Sequence, residues 1–245
     1  MDVGDISWSR GGDRQKEKDA VLFDAPGVTR LVDVRCQRDP EWSLQLLQRA
    51  APSLEELSVH HPSEAHLLAV HAMPRLRRLH VTSVPAPYRG NPNIPDFAKP
   101  PTEEPRPRHA LQWLRVWGLP RVTLGTLLRA HRESLEELQL SVGTAEPLLE
   151  VAAVALVDKM SSCKAEPQPW WPYNGGDLHI QVVRLHDQLP LPWRGLRALR
   201  RLVLERSSVF HDAAHCVRQL AQMRPLVDGA EVLCDKCDGV AGEEL

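Results

Sequence analysis

Aromatic residues are scarce. The chain has 245 residues, of which 3 are Phe and 2 Tyr, with 7 Trp as the main ring-bearing type. A core of stacked rings is excluded. Cysteine is also sparse: Cys36, Cys163, Cys216, Cys234 and Cys237 are all there are. An odd, scattered set suits reduced thiols better than a disulfide framework. Charge of one sign is lacking. Lys+Arg number 30 and Asp+Glu 32, for a formal net charge of −2. That balance removes the electrostatic argument for nucleic acid or an anionic membrane as partner. Long apolar runs are missing as well. The longest, 151–157, falls far short of the ~18 residues that span a bilayer. The first twenty residues hold no signal-peptide apolar stretch. These absences point to a cytoplasmic chain, with the nucleus also open to it.

Leucine is what the chain has in quantity: 35 residues. Its placement is periodic. A short phrase recurs with apolar residues at relative positions 1, 4 and 6. It reads LEELSV at Leu54, Leu57 and Val59, and LRRLHV at Leu76, Leu79 and Val81. It returns as LQWLRV (Leu111, Leu114, Val116), LEELQL (Leu135, Leu138, Leu140) and LRRLVL (Leu199, Leu202, Leu204). Two weaker copies fit at Leu31-Val34-Cys36 and Ile180-Val183-Leu185, and a capping copy at Val227-Ala230-Val232. From Leu31 to Leu199 the intervals between first positions are 23, 22, 35, 24, 45 and 19 residues. Positions 4 and 6 alternate as in a short strand, so both point to one side.

Helical patterns lie between the phrases. Asp39 before Pro40 reads as an N-cap followed by proline at the first helical position, and SLQLLQRAA continues that helix to Pro52. Ser63 is expected to cap EAHLLAVHAM, and Thr123 to cap LGTLLRAHRE. Thr144 precedes a helix through AEPLLEVAAVALVDKM, and Asp212 leads into AAHCVRQLAQM. Strand, turn, helix and turn at a period near 20–29 residues make an α/β solenoid, with a short parallel concave sheet and convex helices.

On these phrases, and on Pro52-Ser53-Leu54 and Pro74-Arg75-Leu76 before two strands, residues 28–240 resemble a leucine-rich-repeat protein. The type is helix-backed, similar to ribonuclease inhibitor and to the repeat domains of F-box/LRR proteins. The resemblance implies about seven repeats and a non-catalytic protein-recognition scaffold whose partner sits on the concave sheet and adjacent loops. It also implies a second role, substrate recognition for a cullin-type ubiquitin ligase through an adaptor subunit. Two features depart from the pattern. The Asn or Cys after each strand is replaced by Pro62, Val84, Leu119 and Gly143, and residues 1–26 are too short and polar to form an F-box.

The domain reading follows. Residues 1–26 are expected to be a polar, disordered tail, and residues 27–245 the repeat domain. Insertions interrupt it at 84–109, which holds eight of the 21 prolines, and at 161–177, which holds Trp170, Trp171 and Tyr173.

With positions 4 and 6 buried, positions 3, 5 and 7 face outward. Position 3 carries Glu56, Arg78, Trp113, Glu137, Val182 and Arg201; position 5 carries Ser58, His80, Arg115, Gln139, Arg184 and Val203; position 7 carries His60, Thr82, Trp117, Ser141, His186 and Glu205. Like positions on neighbouring strands form lateral ladders. The residues expected to meet a protein partner are Glu56, Arg78, His80, Trp113, Arg115, Trp117, Glu137 and Arg201. Trp113, Arg115 and Trp117 form an outward Trp-Arg-Trp stripe, the residue chemistry of interface hot spots.

Catalysis has little sequence support. No phosphate-binding glycine loop and no GxSxG elbow is present. The 11 His are dispersed, with no convergent acid, base and nucleophile. The expectation is no enzyme and no cofactor, with a hydrolase-type enzyme as the alternative of another class. A weak metal signal lies near the end: His211 and His215 share a helix face, followed by Cys216 and by Cys234-x2-Cys237. One such pair is read here as a terminal cap with reduced thiols.

Overall fold

Seven short strands stand side by side in chain order. A computed structural model describes residues 1–10, 12–83, 111–117, 119, 121–142, 195–206, 213–227 and 229–240. The strands are β1 (Arg30–Arg35), β2 (Glu56–His60), β3 (Arg78–Thr82), β4 (Trp113–Trp117), β5 (Glu137–Val142), β6 (Arg201–Arg206) and β7 (Glu231–Cys234). They form one all-parallel sheet in the order β1-β2-β3-β4-β5-β6-β7. Helices α1 (Gly4–Ser7) and α2 (Gln15–Asp24) precede β1. Parallel strands need crossovers, and α3 (Pro40–Ala50), α4 (Glu64–His71), α5 (Arg121–Ala130) and α6 (Ala213–Met223) supply them among the described residues. The result is an α/β architecture compatible with an α/β solenoid.

The leucine phrase sets the register. Leu57, Leu79, Leu114, Leu138 and Leu202 lie in line across β2 to β6, and so do Val59, Val81, Val116, Leu140 and Leu204. All ten are buried. They join the first-position residues Leu54, Leu76, Leu111, Leu135 and Leu199 in one apolar cluster with helix residues such as Leu46, Leu47, Leu128 and Leu220. One face of the sheet is thus fully committed to the core. The other carries the odd positions.

Three sequence assignments are corrected. The first strand pairs Leu31 with Leu57 and Val34 with Val59, so Leu31 holds position 4, not position 1. A β-bulge between them absorbs one residue, with Asp33 at φ +59°; short polar Asp tolerates this left-handed region better than most residues. At the other end Val232 pairs with Leu202 and Cys234 with Leu204, two residues on from the expected capping copy. Finally, β5 pairs directly with β6. The copy at Ile180, expected between them, lies outside the described residues.

Caps explain the crossover helices. Asp39 accepts a hydrogen bond from the Trp42 amide at 3.2 Å and Pro40 follows it, as the sequence predicts. At α4, Ser63 and His66 cap each other: the Ser63 side chain accepts from the His66 amide, and His66 Nδ1 accepts from the Ser63 amide. That leaves the His66 Nε2 proton for Ser43 Oγ at 2.9 Å, which ties α4 to α3. Thr123 is not a cap. α5 starts at Arg121, and Thr123 is buried inside it. The expected helix after Thr144 and both insertions, 84–109 and 161–177, lie outside the described residues.

The expected N-terminal tail is folded. Asp2 bridges to Val32 in parallel, the Val3 amide donates to Val32 O at 3.1 Å, and Val3 is buried. These residues cover the exposed edge of β1, a common protection for a strand edge. Leu22 and Ala25 of the next segment enter the core, and Lys18 is fully buried. Polar composition concealed this, because few residues make the contacts.

Candidate functional site: the polar face of the sheet

Position 3 forms a ladder across the whole sheet. Arg30 pairs with Glu56 at 3.2 Å. Glu56 stands in register with Arg78, and Arg78 with Trp113, over whose ring its guanidinium lies at 4.7 Å. Trp113 Nε1 donates to Glu137 Oε1 at 3.2 Å. Arg201 reaches Glu137 at 3.4 Å and Glu231 at 3.6 Å. Gln139 Nε2 also donates to Glu137 Oε1, at 2.7 Å. The Glu137 carboxylate is therefore a hub with three described donors. The outer ion pairs are half-exposed, so each contributes under ~1 kcal/mol; their effect is to fix rotamers.

Positions 5 and 7 carry a second network. Ser58 Oγ lies 3.3 Å from His80 Nδ1, and Thr82 Oγ1 3.2 Å from His80 Nε2. The His60 and His80 rings meet edge to face at 6.0 Å. His60 Nε2 sits 2.9 Å from Asp33 Oδ1, and Arg35 reaches Asp33 Oδ2 at 3.0 Å. Further along, Arg115 pairs with Glu205 at 2.7 Å, both half-buried. The β1 bulge is what turns Asp33 toward His60. Nothing in the residue spacing announces it.

Burial dominates the electrostatics here. It pushes His80 down to about 4, helped by the positive Arg115 and by His60. His60 is lowered as well, chiefly by burial: the Asp33 carboxylate opposes the shift and Arg35 adds to it. Glu205 is raised by burial even though Arg115 pulls it the other way. The face is thus set with neutral imidazoles. Among the described residues of this face, nucleophile, base and carboxylate do not line up in one relay. Ser58 bonds His80, whose other nitrogen meets Thr82, while the carboxylate of Asp33 is on His60.

All eight sequence-assigned residues stand on this face: Glu56, Arg78, His80, Trp113, Arg115, Glu137 and Arg201 sit within the ladders, and Trp117 ends β4. Trp117 is 42% exposed. Trp113 is a correction: it is 4% exposed, so the expected outward Trp-Arg-Trp stripe reduces to one solvent-facing ring. Glu137 and Arg78 close over Trp113 from both sides. Val182, Arg184 and His186 lie outside the described residues. Sequence reasoning missed Asp33, and it also missed Trp8, 52% exposed, under the Arg35 and Arg38 guanidiniums at 4.6 and 4.1 Å.

At the C-terminal end, His211 and the His215 side chain lie outside the described residues. Cys216, Cys234 and Cys237 come together instead. No described helix is long and apolar enough to cross a membrane. Comparison of the chain with family models, curated proteins and solved structures returned no match.

Proposed function

We propose that the chain is a non-catalytic recognition scaffold of the leucine-rich-repeat type, binding a protein partner on the polar face of its sheet. The observation that carries this reading is Trp117. A large ring stands open to solvent at the end of the central strand β4. It is mounted on a sheet whose neighbouring side chains are held by lateral bonds. A rigid, exposed aromatic over a pre-ordered polar rim is the composition of an interface hot spot. The ladders support the same reading. Glu137 and Arg115 have their charges answered within the sheet, so a partner need not neutralise them on docking. The split between Ser58-His80-Thr82 and Asp33-His60 favours binding over hydrolysis.

Quantitative capture tests it. Wild-type protein and Trp117→Ala are used as baits in parallel, with Phe23→Ala as control. Phe23 is 81% exposed on α2, an element that contributes no residue to the ladders. A partner retained by wild type and by Phe23→Ala but lost by Trp117→Ala supports the reading. Equal recovery of every protein by all three baits contradicts it. A ubiquitin-ligase adaptor among the Trp117-dependent proteins would identify the complex as a ligase.

A further inference from the structure

The last strand ends in a cluster the recognition reading does not use. Cys234 closes β7 and is buried. Cys216 lies in α6, also buried, and Cys237 is exposed on the turn after β7. The three Sγ atoms all lie within 4.8 Å of one another. None of these cysteines is in a disulfide.

The backbone holds this turn tightly. The Asp238 amide donates to Cys234 O at 3.0 Å, and the Cys234 amide donates to Asp238 Oδ2 at 2.7 Å. The Asp235 amide extends the ladder to Leu204 O at 3.2 Å. Two cysteines three residues apart are thereby set on one loop, and the helix brings a third. An apolar cap accounts for Cys216 and Cys234, which belong to the core cluster. It does not account for Cys237, because an exposed thiol adds nothing to a core.

We propose that Cys216, Cys234 and Cys237 bind a thiophilic divalent cation, zinc by its chemistry, and that the ion ties α6 to the end of β7. Tetrahedral zinc at about 2.3 Å from each sulfur places sulfurs about 3.8 Å apart, a separation that lies inside the 4.8 Å limit of the cluster. Each ligating thiol gives up its proton to solvent. The fourth position is left to water or another donor at the exposed edge beside Cys237. The proposal replaces the sequence reading of reduced thiols in a terminal cap, and the third ligand is Cys216.

The test uses the full chain, reduced and stripped of metal, titrated with Co²⁺ alone. The expected result is one Co²⁺ per chain with sulfur-to-cobalt charge-transfer absorption, displaced by equimolar Zn²⁺. Cys237→Ser keeps its fold by circular dichroism, since the side chain is exposed, and loses at least tenfold in affinity. Cys237→His restores binding with weaker charge transfer. Absence of charge transfer in the wild type would overturn the proposal. So would undiminished binding by Cys237→Ser, or a Cys234-Cys237 disulfide that forms in place of the metal site.

Discussion

Lys18 Nζ lies 2.7 Å from Asp39 Oδ2, and the lysine side chain is completely buried. The same ammonium donates to Arg10 O at 2.7 Å and lies 5.7 Å from the centre of the Trp42 ring. Trp42 Nε1 in turn donates to Lys18 O at 3.2 Å. Asp39 therefore serves two elements at once: one oxygen caps α3 and the other anchors α2. Removing one partner of a buried pair leaves the other charge uncompensated. Lys18→Ala is expected to lose about 3–5 kcal/mol in urea unfolding. A loss under ~0.5 kcal/mol would mean that residues 1–26 do not pack as described.

The two tryptophans of β4 should separate cleanly. Trp113→Ala removes a buried ring and strips a donor from Glu137, so it should cost about 3–5 kcal/mol. Trp117→Ala changes an exposed position and should stay within about 1 kcal/mol of wild type. Thermal or urea melts of both variants check the contrast. Equal destabilisation would place both rings in the core.

Acid should weaken the fold through histidine. His60, His61, His66 and His80 are all lowered from 6.5, chiefly by burial. A depressed histidine stabilises the fold fully above the unfolded value, and that contribution falls as pH drops below it. The loss therefore begins near pH 6.5 and, for His80, continues to about pH 4. Solvent screens part of it, so His80 alone contributes about 2–3 kcal/mol. Glu205, raised by burial, works the other way at the acid end. Urea midpoints across this range check the trend, and His80→Gln should flatten it. A midpoint that rises on acidification would contradict the assignment.

Cys36 should resist chemistry. Burial pushes its thiol up to about 12, and only the thiolate reacts. Alkylation of native protein, followed by peptide mass analysis, should leave Cys36 unmodified until the chain unfolds.

Much of the fold was legible because burial imposes a period. Leu57, Leu79, Leu114, Leu138 and Leu202 could be aligned by spacing, and they align in the sheet. Spacing failed at the two ends. A bulge at Asp33 shifts the first copy, and the last strand slides by two residues, because among the described strands β7 pairs with β6 alone and its register is less constrained. The N-terminal segment was misread for another reason. Lys18, Leu22 and Ala25 do fall at helical spacing, but one of the three is a lysine and too few apolar residues accompany them to announce a buried face. In the site, Glu56 beside Arg78 was readable as a lateral pair, whereas Glu137 beside Arg201 was not, because a further copy was expected between them. Trp113 was not readable as buried, because its cover comes from Arg78 and Glu137 on adjacent strands. Cys216 was readable as a neighbour of the Cys234-x2-Cys237 pair, but spacing alone could not show that α6 brings its sulfur to them.

The central claim is that the exposed ring of β4 anchors a protein partner. For a partner captured by the wild-type chain, the decisive measurement is its dissociation constant for wild type and for Trp117→Ala by titration calorimetry. Hot-spot truncations cost 2 kcal/mol or more, so the account predicts binding weakened by about thirtyfold or more, with the variant's melting curve unchanged. An affinity within about twofold of wild type would contradict it.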